Sequence, residues 1–130
     1  MNENYTCTEI ISNLWIGDLN DVKITEVEHD FERIINVLNI IEPVNDTVDY
    51  HVLDALATII DKSLKTKMER ILVHCAGGIE RSPLTVAWYL SKTQFIRLDE
   101  AYEIIIKKRE FVQNRSDWIP WEIRRERGML

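Results

Sequence analysis

The sequence predicts an α/β domain with a mainly parallel central sheet of four or five strands flanked by helices, and three observations support this class. Short apolar runs typical of strands alternate with longer segments of helical periodicity. One run, residues 71–74, is apolar enough for a parallel strand buried on both faces. A glycine-containing loop and an apolar helix follow it directly, and in such folds ligands bind where the parallel strands end.

The other elements are predicted from local patterns along the chain. Residues 14–17 and 33–39 are expected to be strands, with a short helix over residues 22–31 between them. Turn-forming residues predict a loop over residues 41–47. The remaining expected elements are a strand over 49–53, a helix over 55–64, a helix beginning at Ser82-Pro83, a helix capped by Asp99 and carrying Tyr102 and Ile105, and a last helix over 116–126.

Length and composition predict one domain over residues 1–130. Hydrophobic residues make up 45% of the chain and charged residues 29%, as in globular proteins. The net charge of −6 argues against nucleic-acid binding. No apolar run reaches the roughly 18 residues that a membrane-spanning helix needs, so no membrane contact is expected. A monomer is the default expectation for this size.

The cysteines indicate a reducing compartment. There are only two, Cys7 and Cys75, and if Cys75 must stay a reactive thiol, the protein belongs in a reducing compartment. The first five residues lack the basic and apolar regions of a signal peptide, so the cytoplasm is the expected location. Cys7 has two interpretations: it packs beside the first strand, or it forms a reversible disulfide with oxidised Cys75.

The most informative segment is His-Cys-Ala-Gly-Gly-Ile-Glu-Arg-Ser, residues 74–82. The thiol of Cys75 can attack phosphorus, and the backbone N–H groups of a tight loop can converge on one anion. Gly77 and Gly78 permit the backbone angles that this convergence needs. Arg81 adds a planar guanidinium that can hold two phosphate oxygens at once. The pattern therefore predicts a phosphate site with a nucleophile at its base.

The residues after the loop strengthen this prediction. Ser82 followed by Pro83 is typical of a helix N-cap and first turn. The positive end of that helix would lie beneath the bound anion. The same field would lower the pKa of the Cys75 thiol, and such thiols ionise near neutral pH.

The pattern Cys-x5-Arg-Ser preceded by His resembles the signature of the cysteine-dependent protein tyrosine phosphatase superfamily. The match is at Cys75, Gly78, Arg81 and Ser82, with His74 in front. The resemblance to the dual-specificity branch covers nearly the whole chain, in the right order. Its other matching segments are residues 11–18, 34–39, 50–54 and 98–102.

The resemblance implies hydrolysis of phosphate monoesters through a phosphocysteine at Cys75. It implies that Arg81 holds the phosphate and that His74 orders the loop. It also implies that the Ser82 hydroxyl stabilises the thiolate as it leaves. The substrate phosphate would lie against the loop residues Ala76, Gly77, Gly78, Ile79, Glu80 and Arg81. Neither a metal nor a cofactor is implied.

The general acid of the family has more than one candidate in this sequence. Asp54 follows the strand expected over residues 49–53, as the family's acid does, and is the first choice. The competing interpretation makes Asp54 an N-cap for the helix over residues 55–64. Asp49 and Asp46 are the alternatives if Asp54 is not the acid.

The segment between Asp54 and Cys75 is shorter than the corresponding acid loop of most members of the family. This short segment predicts a shallow cleft. Such a cleft would admit phosphoserine and phosphothreonine as well as phosphotyrosine in protein substrates. The loop carries no lysine, which disfavours inositol phosphates and RNA 5′-phosphates. An RNA 5′-phosphatase, a small-molecule phosphatase and a phosphate-binding module without turnover remain the alternative functions.

Two further groups have open interpretations. The basic residues 107–109 alternate with glutamates and are expected on a solvated helix face, although Arg109 also continues the core-facing spacing of Tyr102 and Ile105. Trp118 and Trp121 are core candidates, or an exposed patch around Pro120.

Overall fold

The fold class predicted from the sequence is confirmed. The computed structural model describes residues 1–130 and has a four-stranded central sheet with the order β1-β2-β4-β3. The strands are β1 (Thr8–Ile11), β2 (Leu14–Gly17), β3 (Arg33–Asn36) and β4 (Ile71–His74). β2 and β3 run parallel to β4 on either side, while β1 pairs antiparallel with β2 at the edge.

The register brings the carboxyl ends of three strands to one level. Gly17 and Asn36 both pair with His74, the last residue of β4. The loop that follows His74 therefore leaves the sheet between the ends of its two parallel neighbours. This is the edge at which ligands bind in open parallel sheets.

The five α-helices are α1 (Val27–Asp30), α2 (Tyr50–Lys65), α3 (Arg81–Gln94), α4 (Leu98–Lys108) and α5 (Trp121–Glu126). None of them is both long enough and apolar enough to cross a membrane. Side chains alternate across the strands, so the sheet has two apolar faces. Ile71 and Val73 face the large core, where α2, α3 and α4 pack, whereas Leu72 faces a small cluster with Val27 and Phe31.

The strand expected over residues 49–53 is wrong, because this segment is the first turn of α2. Asp49 is the N-cap, and its carboxylate accepts a hydrogen bond of 2.9 Å from the backbone N–H of His51. Leu53, Leu56 and Ile60 are buried at the spacing of one helical face. That periodicity begins before residue 55 and prevails over the short alternation of Tyr50 and Val52.

Other element boundaries also differ from expectation. The helix expected over residues 22–31 is a 3-10 turn, Asp21–Lys23, followed by α1. The helix expected over residues 116–126 is likewise a 3-10 turn, Ser116–Trp118, followed by α5 after Pro120. Arg97, not Asp99, is the N-cap of α4, because the Glu100 carboxylate accepts from its backbone N–H. The edge strand β1 was not predicted.

Candidate active site

The loop between β4 and α3 surrounds the sulfur of Cys75. Cys75 is 4% exposed and lies at the base of a cavity of about 410 Å³. The cavity is lined by Leu38, Pro43, Cys75, Ala76, Gly77, Ile79, Glu80, Arg81 and Trp118. Of the loop residues expected to contact phosphate, only Gly78 does not line it. Cys75, most of the loop and Arg81 thus line one cavity.

Hydrogen bonds stabilise the thiolate form of Cys75. Burial by itself would raise the pKa of this thiol, because it disfavours the charged form. The Ser82 hydroxyl lies 3.2 Å from Sγ, and the backbone N–H groups of Ser82, Gly78 and Arg81 also donate toward the sulfur. These donors outweigh burial and lower the pKa of Cys75 below its ordinary value. The loop that the sequence predicts to bind phosphate therefore lowers the pKa of the thiol that the sequence predicts to be the nucleophile.

Ser82 reaches the sulfur because α3 begins two residues earlier than expected. The helix starts at Arg81, and Glu80 is its N-cap without a side-chain hydrogen bond. Ser82 is fully buried within the first turn, so its hydroxyl is directed at Cys75 rather than at a cap position. The expectation that Ser82 caps the helix is wrong, and its hydroxyl is the only side-chain group that hydrogen-bonds to the thiol.

We expect a Ser82→Ala variant to raise the pKa of Cys75, because it removes the hydroxyl that stabilises the thiolate most among the hydrogen-bond donors. The rate of iodoacetamide alkylation at Cys75, followed by mass spectrometry against pH, should then rise at higher pH than in the parent. Cys7 provides an internal control, since burial raises its pKa to about 12 and keeps it unreactive near neutral pH. An unchanged midpoint would contradict the role of Ser82.

His74 lies behind the loop and does not line the cavity. It is 3% exposed, and its Nδ1 is 3.5 Å from the carbonyl oxygen of Cys75. Burial lowers the pKa of His74, so the ring is neutral at pH 7. A neutral ring against the backbone of Cys75 fits the loop-ordering role that the resemblance implies.

Arg81 lies at the cavity with its guanidinium tied to the neighbouring loop. Its Nη1 donates to the backbone carbonyl of Leu38, which follows β3 and also lines the cavity. Glu80 is not a free solvated side chain, because its carboxylate forms an ion pair of 2.6 Å with Nε of Arg115. Arg115 therefore balances the negative charge that Glu80 places on the cavity wall.

Arg109 supports the loop from behind and was expected on a solvated helix face. It is 2% exposed, its Nε donates to the carbonyl of Gly78 at 2.9 Å, and its Nη1 donates to the carbonyl of Thr6 and the hydroxyl of Thr8, both at 2.8 Å. By accepting from Arg109, the loop carbonyl is directed away from the cavity. In the sequence, the spacing of Arg109 from Tyr102 and Ile105 on the core-facing side of the helix was the signal that Arg109 is buried.

Gly78 is required where the loop turns. Its φ is +66°, a conformation that L side chains rarely adopt. A Cβ atom at this position would lie 2.7 Å from the carbonyl oxygen of Gly17 at the end of β2. The loop can therefore approach the sheet edge closely only with glycine here.

The structure does not bring Asp54 to the cavity, contrary to its assignment as the general acid. Its carboxylate accepts hydrogen bonds from Nε1 of Trp88 at 2.9 Å, Nζ of Lys92 at 3.1 Å and a guanidinium nitrogen of Arg127 at 2.7 Å. Trp88 lies seven residues into α3 from Arg81, which is about 10 Å along the helix axis. The cap interpretation of Asp54 is also wrong, because Asp49 holds that position.

We expect Asp54→Ala to lower the free energy of unfolding by about 1–3 kcal/mol, because the indole N–H of Trp88, a fully buried residue, loses its acceptor. Burial raises the pKa of Asp54, but its three donors prevail and lower it below the ordinary 3.8. The stabilisation by the Asp54 carboxylate is therefore complete above pH 3.8, and it is lost as the pH falls through the pKa that Asp54 has in the folded protein.

Urea unfolding of the parent and of Asp54→Ala, measured from pH 7 down to pH 3, checks both statements. The difference between the two proteins should narrow in the acid range. Lys92→Ala is the control, since it removes one of the three donors and should cost less. A constant difference at all pH values would contradict the electrostatic explanation.

The alternative acid Asp46 lies on the loop that borders the cavity. This loop joins β3 to α2 and contributes Leu38 and Pro43 to the cavity lining. Val44 and Thr47 form a backbone bridge that closes a tight turn, and Asp46 is exposed within that turn at a φ of +57°. Asp49, by contrast, is occupied as the N-cap of α2.

Both cysteines are free thiols in this structure. Cys7 packs with Tyr5 and Trp15 against the small cluster, whereas Cys75 belongs to the large core. Cys7 therefore lies where the first of its two interpretations, packing beside the strands, expects it.

Comparisons with known proteins agree with this geometry. Residues 2–121 match the model of the family described as dual specificity phosphatase, catalytic domain. The 123R protein of Invertebrate iridescent virus 6 is 27% identical over 118 residues, which cover 81% of each chain. Human dual specificity protein phosphatase 16 is 30% identical over 119 residues, covering 78% of this chain but only 18% of the longer human protein.

A solved structure shows the same fold at low sequence identity. The leucine rich repeat and phosphatase domain containing protein from Entamoeba histolytica superposes with a TM-score of 0.76 at 16% identity, covering 95% of this chain and 90% of that one. The family match spans the sheet, the loop of Cys75 and the helices that hold it. The chain thus belongs to the dual specificity phosphatase catalytic-domain family, which makes it a protein phosphatase domain.

Proposed function

We propose that the chain hydrolyses phosphate monoesters on protein side chains in two steps, through a phosphocysteine at Cys75. The observation that carries the proposal is the geometry at the sulfur. A thiol with a lowered pKa lies at the base of a cavity, with backbone N–H groups donating toward it and Arg81 lining the same cavity. These groups are placed to stabilise negative charge on a phosphoryl group during transfer.

In the first step, the Cys75 thiolate attacks phosphorus, and the bond from phosphorus to the substrate oxygen breaks. The departing oxygen takes a proton from a carboxylic acid. In the second step, water attacks the phosphocysteine and gives a proton to the resulting carboxylate, and the phosphorus–sulfur bond breaks to release phosphate. The Ser82 hydroxyl, 3.2 Å from Sγ, donates to the sulfur as it leaves.

We propose Asp46 as that acid in place of Asp54. It lies three residues beyond Pro43 on a closed turn of the loop bordering the cavity, and it is exposed toward solvent. Glu42, directly before Pro43, is another exposed carboxylate of this loop and is the second candidate, since Asp49 is occupied as the N-cap of α2. A carboxylic acid in this role contributes about 10²- to 10⁴-fold to the rate.

The substrates proposed are phosphorylated proteins, with no nucleic acid and no membrane partner. The loop residues Ala76, Ile79 and Glu80 give the cavity no positive charge beyond Arg81, which supports a singly phosphorylated side chain over a polyphosphate. A thiolate nucleophile requires no metal or cofactor. We also propose that the protein is a monomer and that it acts in a reducing compartment, the cytoplasm.

The test is turnover combined with trapping of the intermediate. The protein should release phosphate from phosphopeptides and from para-nitrophenyl phosphate. Acid quenching during turnover should add one phosphoryl group to the peptide that contains Cys75, as seen by mass spectrometry. Tight phosphopeptide binding without any phosphate release would instead favour a non-catalytic binding module.

A further inference from the structure

We infer that the cavity above Cys75 accommodates the ring of an aryl phosphate, so that the domain prefers phosphotyrosine to phosphoserine and phosphothreonine, and that Trp118 sets this preference. The inference rests on the proposed function and narrows its substrate class. The cavity combines a polar base with apolar walls formed by Leu38, Pro43, Ile79 and Trp118. Its volume of about 410 Å³ lies in the range of small-molecule sites.

Trp118 is held in place before any substrate arrives. It ends the 3-10 turn Ser116–Trp118, and its carbonyl accepts a hydrogen bond of 3.0 Å from the N–H of Val48. The guanidinium of Arg115 lies 5.3 Å from the centre of the indole ring. Trp118 is only 8% exposed, so little side-chain freedom remains to be lost on binding.

The same segment is attached to the catalytic loop itself. The N–H of Gln113 donates to the carbonyl of Ile79 at 2.9 Å, and Arg115 pairs with Glu80 at 2.6 Å. These contacts bring the Trp118 segment and the loop together around one cavity. The Glu80 charge is compensated by Arg115, so the wall does not repel a phosphate monoester by an unpaired carboxylate.

Apolar walls discriminate between the phosphorylated residues. In phosphotyrosine a ring separates the phosphate from the peptide backbone, and aromatic contacts with Trp118 become available. In phosphoserine and phosphothreonine the backbone is close to the phosphate. Its N–H and C=O groups would then meet Leu38, Pro43 and Trp118 without hydrogen-bond partners, which is costly. The walls therefore favour the aryl substrate and disfavour the alkyl ones.

The experiment compares kcat/KM for three peptides that share their flanking residues and differ only in phosphotyrosine, phosphothreonine or phosphoserine. An aromatic pair contributes about two- to twelvefold beyond simple burial. We expect the protein to prefer the phosphotyrosine peptide by about tenfold or more once ring burial is included.

Trp118→Leu and Trp118→Phe separate the role of the ring from that of core packing, since both keep an apolar side chain. The Leu variant should lose about tenfold on phosphotyrosine, mainly in KM, while changing the phosphothreonine rate less than twofold. The Phe variant should keep most of the preference. Competitive inhibition by inorganic phosphate should be unchanged, because the loop around Cys75 is intact.

Trp121→Leu is the matched control, because Trp121 is 51% exposed, lies over Arg125 and does not line the cavity. It should leave the preference unchanged. If the Trp118→Leu variant does not fold, Ile79→Ala tests the facing wall and should reduce the preference in the same direction.

Three results would overturn the inference. Equal kcat/KM for the three peptides would show that the walls do not select a ring, while the proposed function would stand. An equal loss on all peptides in Trp118→Leu would mean that Trp118 acts only in stability. Absence of turnover on every peptide and on para-nitrophenyl phosphate would overturn the proposed function itself and the inference with it.

Discussion

A Cys75→Ser variant is expected to lose hydrolysis by about 10⁴-fold or more, because no other group is placed to attack phosphorus. The serine hydroxyl stays protonated at neutral pH, so the hydrogen bonds that stabilise the thiolate cannot activate it. The loop N–H groups and Arg81 remain in place, and the variant should still bind inorganic phosphate. Turnover of para-nitrophenyl phosphate and calorimetric titration with phosphate measure the two properties separately.

The matched control is Cys7→Ser, which removes the other thiol of the chain. Cys7 belongs to the small apolar cluster and does not line the cavity, so this variant should keep the parent kcat. More than one hundredth of the parent rate in Cys75→Ser would mean that the nucleophile has been assigned to the wrong atom.

An Asp46→Asn variant is expected to lower kcat by about 10²- to 10⁴-fold on substrates with poor leaving groups. Loss of the proton donor matters less when the departing oxygen is already stable as an anion. The effect should therefore be large for a phosphothreonine or alkyl phosphate substrate and small for para-nitrophenyl phosphate. This dependence on the leaving group is the signature that distinguishes a lost acid from a damaged loop.

Two variants test the assignment against its competitors. Asp54→Asn should leave kcat unchanged, because Asp54 binds Trp88, Lys92 and Arg127 on the flank of α3. Glu42→Gln should also keep kcat. If the leaving-group dependence appears in Glu42→Gln instead of Asp46→Asn, the acid is Glu42 and the proposal for Asp46 is wrong.

The catalytic loop could be predicted because its chemistry is contiguous in sequence. The thiol, the glycines and the guanidinium lie within the seven residues from Cys75 to Arg81, and a buried strand and a helix fix their direction. Local hydrogen bonds determine most of this geometry. The sequence was therefore sufficient for the three parallel strands, the loop and its position at the sheet edge, but not for the edge strand β1.

The acid could not be predicted in the same way, because its position depends on where α2 begins. A strand ending before Asp54 would have directed that carboxylate over the sheet edge. The burial of Leu53 and Leu56 on one helical face, with Asp49 as cap, moves the start of the helix back to Tyr50. Asp54 then lies one turn inside the helix, and only tertiary packing decides this.

The residues that contact the loop from distant parts of the chain could not be predicted from the sequence either. Arg109 appears in sequence among lysines and a glutamate, where a solvated helix face is the ordinary expectation, and Arg115 lies in a short polar stretch that carries no signal for its partner. Their contacts with Gly78 and Glu80 span more than thirty positions of the chain. Spacing alone does not say which cation of such a run turns inward, although the core-facing register of Arg109 was a partial signal.

The hydrogen bonds of Arg109 affect the stage of protein synthesis at which the loop around Cys75 can form. One guanidinium joins Thr6 and Thr8 near the start of the chain to Gly78 in the catalytic loop. A nascent chain that has not yet released residue 109 from the ribosome lacks the partner that orients the Gly78 carbonyl. A phosphate-binding loop is therefore completed only after residue 109 has emerged, and until then the Cys75 thiol lacks the hydrogen bonds that lower its pKa.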